Sequence, residues 1–284
     1  MQRKEKTLTT ALIDRYAAHL RERERSAATV QKYIRDLEAL RVWLGGDPLT
    51  KEALLEWRAR LTENHAPASV NAALAAVNGF LDFMGWEELT VRPLKIQKSL
   101  FLDEERELTR GEYVRLVRAA ERGENQRLAL VLQTLCATGI RVSELKCVTA
   151  EAVAAGRAEV ANKGKRRVVF LPEKLRRLLK NYLRAQKKTA GAVFTTRTGK
   201  PLDRSNIWRD MKALCEAAGV SPGKVFPHNL RHLFARTYYA AEKDLSRLAD
   251  ILGHSSVNTT RIYTAESGAV HRRQVERLGL VLTT

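Results

Sequence analysis

The chain has 284 residues, enough for two ordinary domains, and its 44% hydrophobic and 29% charged composition is that of a globular protein. No apolar run reaches the roughly 18 residues of a membrane span, and the polar first ten residues predict no secretion signal. The three cysteines and six histidines are scattered. They predict no metal site, and they predict reduced thiols in a cytoplasmic protein.

The net charge of +18 is confined to the second part of the chain. Residues 1–105 contain 16 basic and 16 acidic side chains, whereas residues 106–284 contain 34 basic and 16 acidic ones. A polyanion such as DNA or RNA is the natural partner of such a basic segment. The alternatives are a basic domain that binds ribosomes, or one whose charge only keeps it soluble.

Apolar residues at helical spacing predict four helices in the first 88 residues, as in a small all-α bundle. The second helix begins at Ser26 and ends before Gly45, the third covers residues 50–63, and the fourth begins at Pro67. The periodicity then fails, and residues 89–105 are predicted to be a linker.

Residues 106–284 predict a second domain that is mainly α-helical. Thr109 and Glu112 form a capping-box pattern that begins its first helix. A second, strongly apolar helix covers residues 125–138 and ends at Gly139.

A small β-hairpin completes the prediction of an α+β second domain. Residues 157–161 and 168–171 flank a turn and favour strands, and residues 192–195 favour a further short strand. Helices are predicted again after Pro172 and after Asp203.

An arginine follows the glycine that ends the apolar helix. Arg141 leads the next helical segment, where unpaired backbone N–H groups and the helix dipole favour an anion. Its guanidinium could bind a phosphate through two parallel hydrogen bonds. A surface turn in which Arg141 pairs with Glu144 is the structural alternative.

Two lysines lie in or beside the predicted hairpin turn. Lys163 is at the tip, from where its ammonium group could reach into a cleft and protonate a leaving alkoxide. Lys165 lies two residues further on and is an alternative for the same role. A basic loop that only binds the DNA backbone is the simpler interpretation.

Two histidines and a second arginine follow along the chain. His228 and Arg231 are three residues apart, so they share one face of a predicted helix. The nearby arginine favours a neutral imidazole, which suits a base. His254 follows Gly253, the predicted end of another helix. An exposed basic helix and a capping turn with an incidental histidine are the alternatives.

A single tyrosine, Tyr263, lies nine residues after His254. A phenol is a poor nucleophile unless a base takes its proton or cations stabilise the phenolate. The arginines and histidines could do both. Considered alone, Tyr263 also fits an ordinary half-buried structural role.

Together these residues resemble the tyrosine recombinase (phage integrase) family, in particular its small Xer-like and mobile-element members. The family pattern is an arginine, a lysine on a hairpin, His-x-x-Arg, a histidine or tryptophan and, nine residues later, a tyrosine. The matching residues here are Arg141, Lys163, His228, Arg231, His254 and Tyr263. The resemblance implies a SAM-like helical core-binding domain over residues 1–88 and a catalytic domain with a C-terminal tail over residues 106–284.

The resemblance also implies a reaction that needs neither a metal ion nor ATP. The two arginines would bind the scissile phosphate, and Tyr263 would attack its phosphorus to give a 3′-phosphotyrosyl intermediate. Lys163 would protonate the departing 5′ oxygen. His228 would assist proton transfer at Tyr263, and His254 would form a hydrogen bond with the phosphate.

Family members act on double-stranded DNA as tetramers that join two recombination sites, so we expect a monomer or dimer off DNA and a cytoplasmic, nucleoid-associated protein. Integration or excision of a mobile element, or DNA inversion, is the favoured role. The alternatives are an Xer-type resolvase of chromosome or plasmid dimers and a type IB topoisomerase. A non-catalytic DNA-binding regulator on the same scaffold is an alternative from another class.

Two departures from the family pattern affect these expectations. Asn229 stands where the family usually has Asp, which removes a charge but keeps a hydrogen-bonding side chain. The hairpin turn is one residue shorter than usual, which is why Lys165 remains an alternative to Lys163.

Polarity and position indicate contacts outside the catalytic set. Residues 270–280 predict a short helix with Val275, Leu278 and Leu280 as its apolar residues. The resemblance implies that this tail docks onto a neighbouring subunit, and packing on its own domain is the alternative. The predicted further DNA contacts are Lys32, Arg35, Ser69, Asn71, Lys165, Arg166, Lys200, Ser205 and Asn206.

Overall fold

The computed structural model describes residues 6–96, 105–162, 165–264 and 268–278. The chain divides into two compact units, Met1–Lys98 and Ser99–Thr284, each with its own hydrophobic core. The first unit is all-α and the second is mainly α with a two-stranded sheet, which confirms the predicted fold class. No helix within the described ranges is long and apolar enough to cross a membrane.

The described part of the first unit contains the four predicted helices. They are α1 (Thr10–Glu22), α2 (Ala27–Leu44), α3 (Lys51–Asn64) and α4 (Pro67–Met84). Ser26 caps α2 by accepting a hydrogen bond from the N–H of Thr29, and Gly45 ends it at a φ of 64°. This left-handed conformation is one that glycine adopts without strain. Leu37 and Phe80 are among the fully buried residues of this core.

The chain after α4 continues to pack on the first unit. Val91 is buried, and the side-chain amide of Asn78 bonds both its backbone N–H and its C=O. Asn71 forms the same pair of bonds with Leu94. Two asparagines of α4 therefore fix a stretch whose sequence has no helical periodicity.

The second unit contains ten α-helices within its described residues. They are α5 (Arg110–Arg122), α6 (Gln126–Thr138), α7 (Ala150–Ala155), α8 (Glu173–Ala185), α9 (Arg204–Ala213), α10 (Cys215–Ala218), α11 (Pro227–Glu242), α12 (Leu245–Leu252), α13 (Val257–Thr260) and α14 (Gly268–Arg277). The predicted capping box of Thr109 and Glu112 begins α5, and Gly139 ends α6 at a φ of 63°. Helix α6 packs against both α5 and α11, and its buried residues belong to the core of the unit. Gly139, which ends this helix, is therefore held in place by the core.

The predicted hairpin is formed by β1 (Arg157–Asn162) and β2 (Lys165–Phe170), which pair antiparallel with Asn162 opposite Lys165. Val169 is buried and Phe170 is exposed, as the alternation of side chains along a strand requires. One face of the hairpin therefore covers the core. Lys163 lies in the connection, outside the described residues.

The prediction of a further strand at residues 192–195 was wrong. Ala192 and Thr195 form only isolated bridges, with Thr149 and Pro201 respectively. Val193 and Phe194 are buried, but the two bridges join the segment to two different parts of the chain, so no continuous strand pairing forms.

Candidate active site

Arg141 lies at the junction between α6 and a 3₁₀ turn, Val142–Cys147. Its backbone N–H donates to Oε2 of Glu144 at 2.8 Å, and its guanidinium donates to Oε1 of the same carboxylate at 3.1 Å. The pairing proposed as a structural alternative is therefore present. It does not compete with an anion-binding role, because the guanidinium remains partly exposed in a cleft.

Glu144 is buried, at 3% exposure, between two arginines. Arg167 of β2 donates two hydrogen bonds to its carboxylate, at 2.9 and 2.8 Å. Burial acts to raise the pKa of Glu144, but the hydrogen bonds from Arg167 and Arg141 outweigh it and hold the pKa below its usual value. Glu144 is therefore ionised and fixes the orientation of both guanidinium groups.

Arg231 of α11 is buried, at 1% exposure. Its guanidinium donates to the backbone carbonyls of Gly139 and Leu252 and lies 3.1 Å from Nε2 of His254. Burial and the charge of Arg141 lower the pKa of Arg231 to about 10, so it stays charged at pH 7. Because these partners are neutral, its charge remains available to an anion in the cleft.

His254 follows Gly253, which ends α12 at a φ of 64°. Nδ1 of its ring is 2.8 Å from the hydroxyl of Thr260. Burial and the charge of Arg231 lower the pKa of His254 to about 4, so the imidazole is neutral at pH 7. Arginine is only a donor, so Nε2 accepts from Arg231 and the network assigns the ring proton to Nδ1.

Tyr263 is in a 3₁₀ turn, Arg261–Thr264, and is 4% exposed. Its ring stacks on His254, with centroids 6.2 Å apart, and meets His232 edge-on at 5.1 Å. Burial raises the pKa of the Tyr263 hydroxyl, while Arg231 acts in the opposite direction by charge and by hydrogen bonding. The phenol is thus held in a dry site where a cation favours its anionic form.

His228 lies at the exposed start of α11, with its ring centroid 4.6 Å from that of His232. Partial burial, His232 and Arg231 lower the pKa of His228 to about 4, so it is a neutral base at pH 7. Glu107 accepts from Nδ1 of His232 at 2.9 Å. His232 therefore forms a hydrogen bond with Glu107 and contacts the rings of both His228 and Tyr263.

Three of these side chains, Arg141, His228 and Arg231, line a cleft of about 600 Å³. Sequence reasoning missed two of its lining residues, Arg204 and Trp208 of α9. The sequence signal for this side of the cleft was Trp208, a tryptophan within a predicted helix. A tryptophan there predicts burial, and its 48% exposure is known only from the structure. The cleft is lined by Ile140, Arg141, Val142, Ser143, Arg204, Trp208, Phe226, Pro227, His228 and Arg231.

The structure brings together five of the six predicted catalytic residues, and the sixth, Lys163, lies outside the described residues. Of Lys165, the structure describes the backbone pairing with Asn162. Asn229 points away from the cleft: its buried amide donates to the carbonyls of Arg106 and Lys224, at 2.7 and 2.8 Å.

The remaining predicted DNA contacts lie outside this cleft. In the first unit, Lys32 pairs with Asp36 and the amide of Asn71 is bonded to Leu94. In the second unit, Asn206 takes part in the capping box that begins α9. The exposed members of the set are Arg35, Ser69, Arg166, Lys200 and Ser205. Within the described ranges, no group of three or more His, Cys, Asp or Glu residues could hold a metal ion.

Comparison with known proteins identifies relatives along nearly the whole chain. The tyrosine recombinase XerD of Xanthomonas axonopodis pv. citri is 31% identical, covering 98% of this chain and 97% of that protein. The tyrosine recombinase XerA of Pyrococcus furiosus is 28% identical, again covering 98% and 97%. The crystal structure of a lambda integrase tetramer bound to a Holliday junction has a TM-score of 0.74 at 20% identity, covering 92% of this chain and 78% of that one.

Two family profiles match the chain. The profile of the phage integrase N-terminal SAM-like domain covers residues 13–88, and the profile of the phage integrase family covers residues 106–269, the part that contains the whole cleft. The chain therefore belongs to the phage integrase family, the tyrosine recombinases that carry out site-specific DNA recombination.

Proposed function

We propose that this protein cleaves and rejoins DNA strands at a specific site through a 3′-phosphotyrosyl bond to Tyr263. The observation that carries the proposal is an arrangement of two parts: Arg141, His228 and Arg231 line one cleft, and Arg231 and His254 both lie against the buried Tyr263. A phosphodiester in this cleft would meet two guanidinium groups, and these would stabilise the charge that builds on its oxygens during attack.

The proposed cleavage step is a transesterification. The Tyr263 oxygen bonds to phosphorus as it loses its proton, the bond from phosphorus to the 5′ oxygen breaks, and a general acid protonates that oxygen. Lys163 is the proposed acid and Lys165 the alternative. Attack by the 5′ hydroxyl of another strand reverses the step, so the bond energy is conserved without a metal ion or ATP.

The two histidines would act as neutral groups. His228 would accept the phenolic proton; its ring contacts that of His232, which in turn contacts the ring of Tyr263. His254 would donate to the phosphate from Nε2, the atom that accepts from Arg231 in the structure. This requires the Thr260 hydroxyl to rotate and donate to Nδ1, which a hydroxyl can do because it is both donor and acceptor.

We propose that the partner is double-stranded DNA and that the active assembly is a homotetramer on two sites, with a monomer or dimer off DNA. The basic second domain and the DNA-bound tetramer of lambda integrase support this proposal. So do Val275 and Leu278, which are 52% and 62% exposed at the end of α14 and are thus free to dock onto a neighbouring subunit. We propose a core-binding domain over residues 1–88, a linker over 89–105, a catalytic domain over 106–284 and a cytoplasmic location.

Two biological roles fit this chemistry. Integration or excision of a mobile DNA element, or DNA inversion, is the role that we favour, because residues 265–268 after Tyr263 are not typical of the Xer-type resolvases. Resolution of chromosome or plasmid dimers is favoured by a different observation, the full-length likeness to proteins named XerD and XerA. The two roles differ in where the protein cuts DNA.

The decisive experiment traps the covalent intermediate. The purified protein is incubated with fragmented DNA of its host, without metal ions, and the DNA that becomes covalently attached is isolated and sequenced from the cleaved end. We expect attachment at a defined sequence for the wild type and none for Tyr263→Phe. Cuts at the ends of a mobile element support the first role, and one cut locus per chromosome or plasmid supports the second. Undiminished attachment with Tyr263→Phe would refute the proposal.

A duplex that carries the mapped site and a nick beside it then identifies the acid. The variants Lys163→Ala and Lys165→Ala are compared on this duplex and on one whose 5′ leaving group is a better one, a bridging sulfur. The true acid is the lysine whose loss the better leaving group rescues. Relaxation of supercoiled plasmid by dilute monomer, without strand exchange between sites, would instead support the topoisomerase.

A further inference from the structure

Arg167 of β2 connects three parts of the second unit that are distant in sequence. Its two Nη groups bind the Glu144 carboxylate, and its Nε donates to the carbonyl of Ile251 at 3.0 Å. Glu144 lies in the turn that Arg141 leads, and Ile251 is in the last turn of α12, three residues before His254. Arg167 itself follows the hairpin connection that contains Lys163.

The turn before His254 is built around this arginine. A Cβ atom added to Gly253 would lie 2.9 Å from Nη1 and 3.0 Å from Cδ of Arg167, so the arginine side chain would have to shift to admit it. Gly253 also has a φ of 64°, which favours glycine. The end of α12 and the guanidinium of Arg167 therefore fix each other's position.

The hydrogen bonds of Glu144 explain why a second arginine is needed. A buried carboxylate must be compensated, and with Arg167 present Glu144 receives two hydrogen bonds from it, one from the Arg141 guanidinium and one from the Arg141 backbone. Without Arg167, the Arg141 side chain would be the one remaining cation among these contacts. It would turn towards Glu144 and away from the cleft.

We propose that Arg167 is a positioning residue for DNA cleavage: it satisfies the Glu144 carboxylate so that Arg141 can face the scissile phosphate, and it fixes the turn that presents His254. The inference rests on the proposed function of the cleft. Arg167 is not among the residues that line the cleft, so its effect would be transmitted through Glu144 and the Ile251 carbonyl. A buried ion network is by itself weak evidence for a role in stability, and orientation is the role that the proposal assigns to this one.

The test compares Arg167→Gln with wild type on two nicked duplexes of the mapped site. One has a normal scissile phosphate and the other a methylphosphonate, which lacks the negative charge that Arg141 would stabilise. We expect Arg167→Gln to slow adduct formation on the phosphate by about 10²-fold, the cost of a displaced catalytic group. On the methylphosphonate the loss should be far smaller, because the misplaced Arg141 has little charge left to stabilise.

Arg176→Gln is the matched control. Arg176 also donates to two backbone carbonyls, those of Val153 and Ala154, and pairs with Glu173, but none of these residues lines the cleft. Its loss should leave adduct formation unchanged on both duplexes.

If Arg167→Gln does not fold, Arg167→Lys takes its place in the same comparison and should show a smaller loss that is again selective for the phosphate. The double variant Arg167→Gln with Glu144→Gln removes the carboxylate that would draw Arg141 away, so it should regain part of the rate on the phosphate. Arg167→Lys should recover part of the rate on the phosphate, because it keeps the charge but not the two-pronged geometry. An equal loss on the two duplexes, or no loss, would overturn the inference while wild-type adduct formation still supports the proposed function. Absence of a wild-type adduct would instead refute the proposed function itself.

Discussion

The glycine between α6 and Arg141 offers a quantitative test of how the site is built. Gly139 has a φ of 63°, and a Cβ atom there would lie 2.3 Å from Cδ1 and 2.7 Å from Cε1 of Phe234. The left-handed backbone costs a non-glycine residue about 1–2 kcal/mol. Displacing a packed ring adds a further ~1–3 kcal/mol. We therefore expect Gly139→Ala to lower the free energy of unfolding of the second unit by about 2–5 kcal/mol.

Gly219→Ala is the control that separates the two contributions. Gly219 lies in the same unit at a φ of 58°, but an added Cβ there has no atom within 4 Å. It should therefore show the backbone cost alone. Urea unfolding followed by circular dichroism measures both variants, with the slope against urea expected to stay unchanged. Equal destabilisation by the two variants would refute the steric argument.

The Gly139 substitution should also affect chemistry. The carbonyl of Gly139 accepts a hydrogen bond from the buried guanidinium of Arg231, and Arg141 is two residues away. A shifted backbone would therefore displace both proposed phosphate ligands. Covalent adduct formation is measured without urea, at a temperature where both variants are folded. Its rate should fall for Gly139→Ala and stay near that of the wild type for Gly219→Ala.

Three further predictions follow from the caps, the histidines and the hydroxyl partner of His254. Thr109→Ala removes the capping box of α5 and should lower the free energy of unfolding by about 1 kcal/mol, measured by urea unfolding. The pKa values of His228 and His254 are lowered to about 4 in the folded protein, below the usual 6.5. The unfolded chain therefore binds more protons, so stability should fall as the pH is lowered from 6.5 to 5, and His254→Gln should make this fall shallower. Thr260→Val removes the partner of Nδ1 and should slow adduct formation by about 10-fold without changing DNA affinity, measured by single-turnover kinetics and filter binding; an unchanged rate would contradict the proposed rotation of the hydroxyl.

Local patterns explain why much of the fold was predictable from the sequence. The capping box at Thr109 and the glycines that end α2, α6 and α12 depend on residues within one helical turn. The resemblance of the polar residues to the family motif led us to expect Arg231 and His254 close to Tyr263, where the structure has them. Each of these signals is short in sequence or belongs to a motif.

Contacts between distant segments explain what could not be predicted. Arg167 was only the third member of a basic run, yet it binds Glu144 across 23 residues and Ile251 across 84. In the same way, the order after α4 comes from the amides of Asn71 and Asn78, which reach backbone groups beyond the helix. Polar residues carry no periodic signal of such partners.

The balance of charge around Tyr263 connects the fold to the proposed reaction. Arg141 and Arg167 share the Glu144 carboxylate, and the other described carboxylate near Tyr263, that of Glu107, pairs with Arg236. The guanidinium of Arg231 has neutral partners, and His254 is neutral at pH 7. The site therefore carries positive charge that its own described groups do not neutralise. A phosphodiester would supply the missing anion, and Arg231 and Arg141 oppose the rise in the Tyr263 pKa that burial causes. The tyrosine can thus be buried for protection from water and still become a nucleophile once DNA occupies the cleft.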